Sequence, residues 1–174
     1  IRWHDVEGNK DEYKLSEFNQ KWLDECRNNN IEPYVIIDGN SVHLDEYPPK
    51  KDTLTDYGKL AHWIASNTRE YTNKYEIWNE YNLYSEKEAS DSDYASPQNY
   101  AGLLKASYSQ IHSGNENAVV YGMCATYTGG TNLSDWIDSV LTELKGEKYM
   151  DAVSIHIYCA DAQPETSKYL KVFN

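Results

Sequence analysis

Four short apolar runs set between amphipathic helical stretches constrain this chain more than any other feature. The runs are Pro33–Asp38, Tyr75–Asn79, Ala118–Cys124 and Ala152–Tyr158. All are rich in β-branched and aromatic residues, as strands are. Their hydrophobicity is nearly continuous rather than alternating, which predicts strands covered on both faces, as in a parallel sheet. Successive starts lie roughly 40 residues apart, room for one helix and two loops in each strand–helix–strand unit.

Helical periodicity fills the intervals. Leu15, Phe18, Trp22, Leu23 and Cys26 share one face of a helix that starts near Ser16 and frays at Asn28-Asn29-Asn30. Tyr57, Leu60, Ala61, Ile64, Ala65 and Thr68 mark a second. The third has Ser96 as N-cap and Pro97 at its first position, then Tyr100, Leu103, Leu104, Tyr108 and Ile111, with Gly114 as its stop. Leu133, Trp136, Ile137, Val140, Leu141 and Leu144 form the face of a fourth, ending at Gly146. The predicted class is α/β in a single domain over residues 1–174. Gly129-Gly130 follows a strand but lacks the third glycine and the adjoining helix of a dinucleotide-binding turn, so an open doubly wound sheet is not indicated.

The chain carries 28 acidic against 16 basic residues, a field that repels phosphate backbones and anionic membranes, so no nucleic-acid or membrane partner is expected. No apolar run approaches the roughly 18 residues of a membrane span, and none resembles a signal-peptide core. Cys26, Cys124 and Cys159 show no Cys-x-x-Cys or His/Cys spacing of zinc type, so no metal or cofactor is expected. Free buried thiols are the simplest reading, with a Cys124–Cys159 bridge as the alternative. Asn132-Leu133-Ser134 is a glycosylation acceptor sequence.

The chemistry concentrates in Tyr75-Glu76-Ile77-Trp78-Asn79-Glu80-Tyr81-Asn82-Leu83. An Asn-Glu pair closes an apolar strand there, placing a proton donor and a hydrogen-bonding amide at a strand's carboxyl end, where βα enzymes work. The run resembles the acid/base motif of the retaining glycoside hydrolases of clan A, usually Trp-Asn-Glu-Pro-Asn. Other segments are similar to family 39 and its relatives, in the family's order. Trp3, Val6-Glu7-Gly8, Tyr13 and Phe18 resemble the stretch after their second barrel strand, and Ile31–Ile37 their third strand. Tyr100–Ala106 through Ala118–Gly122 resemble the next helix and fifth strand, and Asp151–Tyr158 the sixth strand with its His-x-Tyr end. Tyr81 stands where the family has proline, as does Ile157, so families 39 and 5 and other clan relatives stay open.

The resemblance implies part of a (β/α)8 TIM barrel, strands three to six, since a whole barrel takes roughly 250 residues. It implies a retaining hydrolase of β-linked oligo- or polysaccharides, with Glu80 as general acid/base and Asn79 holding the sugar 2-hydroxyl. His156 and Tyr158, sharing strand parity, would contact substrate and orient the nucleophile. Asp38, Asn40 and His43, at and after the third strand, would line the sugar pocket. The sixteen tyrosines and five tryptophans, against two phenylalanines, suit stacking on pyranose rings, although packing accounts for most of them, Trp78 included. A secreted or extracytoplasmic location follows only from polysaccharide chemistry.

Retention needs two carboxyl groups about 5–5.5 Å apart, inversion about 6.5–9.5 Å. Glu76 is expected on the order of 13 Å from Glu80 at about 3.3 Å per residue, a paired acid of the lower barrel and not the second carboxylate. Asp38 and Asp161 reach the rim but read more simply as a turn residue and the start of a polar loop. The nucleophile is therefore expected outside this chain, on a missing barrel segment or a complementing chain, and the chain alone is expected to be inactive. The alternative is a non-catalytic carbohydrate-binding or scaffold protein derived from such a barrel.

Overall fold

The computed structural model describes residues 1–44, 49, 53–85, 96–126 and 132–157. Short elements come first: α1 (Trp3–Val6), then β1 (Glu7–Asn9) and β2 (Glu12–Tyr13) paired as an antiparallel hairpin. Then come α2 (Glu17–Asn28), β3 (Val35–Ile37), α3 (Leu54–Thr68), β4 (Lys74–Ile77), a 3₁₀ turn at Tyr81–Ser85, α4 (Pro97–Gly114), β5 (Val119–Thr126), α5 (Leu133–Leu144) and β6 (Ala152–His156).

The four later strands form one parallel sheet in the order β3-β4-β5-β6. Strand order that follows chain order, with a helix at each crossover, winds in one direction and places the helices on one face. A doubly wound sheet reverses direction and covers both faces; this sheet is a sector of a barrel. On its helical side Val35, Ile37, Tyr75, Ile77 and Val120 pack against Leu60, Ala61, Ile64, Leu103, Leu104 and Ile111, all buried. The opposite, concave side carries Ile36, Glu76, Tyr121, Ser154 and His156, alternate residues of the same strands.

The helices start where local chemistry dictates. Ser16 Oγ accepts from the Asn19 amide, Ser96 Oγ from Asn99, and the Asn132 side chain from Ser134. The sequon asparagine is thus a helix cap. Gly114 does not stop α4: it is the last helical residue, and Asn115 follows as the cap. A Cβ at Gly114 would lie 2.6 Å from the His62 carbonyl oxygen, and one at Gly58 2.6 Å from that of Ala106. These two glycines let α3 and α4 approach backbone to backbone.

A ladder of rings runs under the carboxyl ends of the strands: Trp3, Tyr57, Trp78, Tyr81, Tyr100 and Trp136, neighbouring centroids 5.2 to 6.2 Å apart. Tyr57, Tyr100 and Trp136 are each the fourth residue of α3, α4 and α5, one repeat of the βα unit apart. The Tyr57 hydroxyl donates to the Ile37 carbonyl (2.7 Å) and Tyr100 to that of Ile77 (3.0 Å), capping the last residues of β3 and β4. These aromatics are core, and Trp78 is packing as expected.

The first helical face is only half covered. Leu23 and Cys26 are buried, but Phe18 and Trp22 are 77% and 44% exposed, and Leu141 of α5 is open too. Phe18 and Trp22 line an apolar groove of about 270 Å³ with Ile1, Tyr34, Val35 and Ile36, along the open edge of β3. The backbone of Ile1 and Arg2 already runs there as the stub of a neighbouring strand, bridged to Asp38. Among the described residues no helix is long and apolar enough to cross a membrane.

Candidate active site

The site gathers at the carboxyl ends of β4, β5 and β6. β4 ends at Ile77, and the next residues leave the sheet through left-handed backbone at Trp78 (φ 69°) and Glu80 (φ 49°). Non-glycine residues adopt that region at a cost of roughly 1–2 kcal/mol, a kind of strain that concentrates at functional sites. The turn puts Glu80 in a nearly enclosed position, 8% exposed. Asn79 beside it is half-buried, and its side chain makes no hydrogen bond to another described residue. β5 carries the matching distortion. Its register with β6 shifts between Met123 and Ala125, leaving Cys124 as the extra residue of a bulge with φ 46°.

His156, the last residue of β6, reaches across β5 to β4. Its Nδ1 lies 3.1 Å from Glu80 Oε1 and its Nε2 2.8 Å from Glu76 Oε1. One imidazole therefore joins two glutamates. Glu76 is 1% exposed and is faced by groups from every side. The Tyr34 phenol, from the residue just before β3, stands near it, pushed well above the ordinary phenol range by burial and then by the Glu76 charge. The Cys124 thiol is raised by the same two causes, and the buried Tyr100 hydroxyl, also raised, faces Cys124. Cys26 and Cys124 are free, buried thiols.

This geometry corrects the separation expected along the strand. The shared ring holds Glu76 Oε1 and Glu80 Oε1 no more than about 8 Å apart, well short of the distance expected along an extended strand. The chain curls after Ile77 instead of continuing extended, and both side chains reach toward one imidazole. The imidazole occupies the interval where an inverting enzyme needs water, and Glu76 is closed to solvent.

The remaining described candidates lie at and after the carboxyl end of β3, the strand paired with β4. Asp38 directly follows β3, its backbone bonded to Ile1 and Trp3. Burial raises its carboxyl above the ordinary aspartate range, against the nearby Arg2 and His4 charges. Asn40 is half-buried in the loop that follows. His43 is exposed, its Nε2 3.2 Å from the Gly8 carbonyl, and Ser41 ties the same loop to the Glu7 carboxylate. Tyr158, Asp161 and Cys159 lie outside the described residues. Among the described residues no cluster of three His, Cys, Asp or Glu side chains could hold a metal ion. A cavity of about 600 Å³ between α2 and α3 is lined by Tyr13, Gln20, Asp24 and Trp63, with no residue of the parallel sheet in its lining.

Sequence reading missed a further member of the motif. The Asn82 side chain donates to the Thr126 carbonyl (2.6 Å) and accepts from the Thr126 amide (2.9 Å). The second asparagine of the motif thus fastens the turn bearing Glu80 to the end of β5. Its fixed spacing after Glu80 was the available signal.

The chain matches no family model and no curated protein. Its fold does find relatives. It is similar to a family 39 glycoside hydrolase from the gut symbiont Bacteroides cellulosilyticus WH2, with a TM-score of 0.71 at 19% identity, covering 90% of this chain and 31% of that one. It is also similar to a monomeric β-xylosidase from Caulobacter crescentus CB15, with a TM-score of 0.60 at 17% identity, covering 88% and 32%. The fold is that of part of a (β/α)8 barrel, as the resemblance implied, and the chain spans about a third of the length of each of these proteins.

Proposed function

We propose that this chain is the acid/base-bearing sector of a retaining hydrolase of β-linked sugars. The observation that carries the reading is the convergence of Glu80 and His156. Two strands not paired with each other deliver a nearly enclosed carboxyl group and an imidazole to one point at the strands' carboxyl end, where barrel enzymes place their chemistry. Glu80 would protonate the departing glycosidic oxygen as the carbon–oxygen bond breaks, and then take a proton from the attacking water. Asn79, with no described protein partner, would be available to a sugar hydroxyl. β-Xylosides, β-glucosides and exopolysaccharide linkages all fit this chemistry.

The nucleophile would come from a further barrel segment or a complementing chain seated on the open edges. The apolar groove at Phe18, Trp22 and Tyr34 and the exposed Val153 on β6 support such a covering.

The test uses the barrel completed with its remaining strands. Glu80→Gln should abolish turnover of alkyl β-glycosides, which need a protonated leaving group, while sparing the first step on dinitrophenyl glycosides, which do not, so that these give a burst of dinitrophenol followed by slow hydrolysis of the glycosyl-enzyme. Sugar binding without turnover, unchanged by Glu80→Gln, would replace this reading with that of a carbohydrate-binding or scaffold protein.

A further inference from the structure

We propose that the cleft between α2 and α3 is a second sugar-binding site, one that holds a β-linked glycan chain on the outer, helical flank of the sheet. The choice of β-linked chains rests on the function proposed above; the fit of the cleft to a pyranose ring does not.

The cleft, about 600 Å³, is of the size that takes a small ligand. One wall is aromatic. The Trp63 and Tyr13 rings lie 5.5 Å apart, inclined at 43°, and both residues are only half-buried. Neither belongs to the ladder of rings under the strand ends. Two partly open rings present the flat apolar surface that the C–H faces of a sugar can cover.

The other wall is polar and already set. Gln20 Nε2 donates to Asp24 Oδ2 (3.2 Å) and to the Tyr71 hydroxyl (2.9 Å), and that hydroxyl donates to Asp24 Oδ1 (2.9 Å). Arg27 donates to Oδ1 as well, at 2.9 Å. A side-chain amide has two N–H donors, and a carboxylate has about four acceptor positions. Both Gln20 donors are engaged within the network, so its carbonyl oxygen is left to accept. Asp24 Oδ2 holds one protein donor and has room for another. Acceptors fixed in advance suit the hydroxyl donors of a sugar, and little ordering remains to be done on binding.

Charge and position point the same way. Glu17, Asp24 and Glu25 are set against Lys14 and Lys21 in the lining, close to balance in a chain of net charge -12, which favours a neutral ligand over a charged one. Gln20 and Asp24 lie on the side of α2 opposite Phe18 and Trp22, which line the groove at the edge of β3. Covering that edge therefore does not fill the cleft.

The experiment titrates xylohexaose and cellohexaose separately into the 174-residue chain, followed by proton–nitrogen NMR. The expected result is a saturable shift of the Trp63 indole N–H and the Gln20 side-chain amide with at least one of the two sugars. Trp63→Ala should weaken that binding by about tenfold or more. No saturable shift with either sugar, or shifts confined to His156 and its neighbours at the strand ends, would overturn the proposal, as would an affinity unchanged by Trp63→Ala. Should that variant fail to fold, Gln20→Ala carries the same test with a several-fold loss expected. The result is independent of turnover: binding here by a protein whose completed barrel hydrolyses no glycoside would sink the hydrolase reading and keep the cleft, and turnover without binding here would do the reverse.

Discussion

The side-chain amide of Asn82 pairs with both backbone groups of Thr126, donating to its carbonyl at 2.6 Å and accepting from its N–H at 2.9 Å. The two residues are buried. This is a strand-like pairing made by a side chain, and it continues the β4–β5 ladder where β4 itself has ended. Asn82→Ala leaves a buried donor and acceptor unpaired, which costs about 1–3 kcal/mol for each group. Chemical denaturation of the variant should show a lowered midpoint with an unchanged slope. An unchanged midpoint would mean that the turn after Glu80 is held by other contacts.

The two capping tyrosines should differ. The Ile37 carbonyl accepts from both the Tyr57 hydroxyl and the Trp78 amide, so Tyr57→Phe leaves it one partner. Tyr100→Phe takes from the Ile77 carbonyl its hydroxyl donor at 3.0 Å. Tyr100→Phe is expected to cost about 1–3 kcal/mol and Tyr57→Phe about 1 kcal/mol or less. Thermal or urea unfolding of the pair decides the ordering, and equal losses would refute it.

Close helix packing gives a test with a built-in control. Gly58→Ala places a methyl group 2.6 Å from the backbone oxygen of Ala106, whereas nothing lies within 4 Å of a Cβ at Gly8. Because the obstacle is backbone, α3 and α4 must separate, at a typical cost of 1–3 kcal/mol (about that of other overpacked sites). Gly8→Ala should change stability by less than about 0.5 kcal/mol. Comparable unfolding midpoints for the two variants would show that the helices part without penalty.

Acid stability should depend on Asp151. Burial alone would raise its carboxyl, but Lys148, the Val120 amide, Tyr108 and His112 hydrogen-bond it and bring it down to about 2. A folded-state value below the unfolded one, about 3.9 for aspartate, stabilises the fold above that unfolded value. The contribution is lost as the pH falls from about 4 toward 2. The group is partly exposed, so solvent screening limits the effect to about 1 kcal/mol. The stability gap between the unmodified chain and Asp151→Asn should be full at pH 5 and above and close as the pH falls to about 2. A gap constant over that interval would assign the stabilisation to something other than the charge.

Much of this molecule was legible in its sequence, and the reason is range. Ser16, Ser96 and Asn132 cap helices through partners two or three residues away, and the apolar periodicities that marked α3, α4 and β5 are equally local. Glu80 could be singled out because strand, turn and carboxylate are contiguous. Tertiary structure decided which groups meet. His156 lies 76 residues from Glu80 and 80 from Glu76, and their meeting depends on the registers of three parallel strands and on the bulge at Cys124. The left-handed turns at Trp78 and Glu80 have no glycine to announce them; the surrounding packing imposes them. Exposure was decided the same way, since Phe18 and Trp22 show the apolar spacing of a buried face yet lie open beside β3. Periodicity specifies which side of a helix is apolar, and only the assembled sheet specifies whether anything covers it.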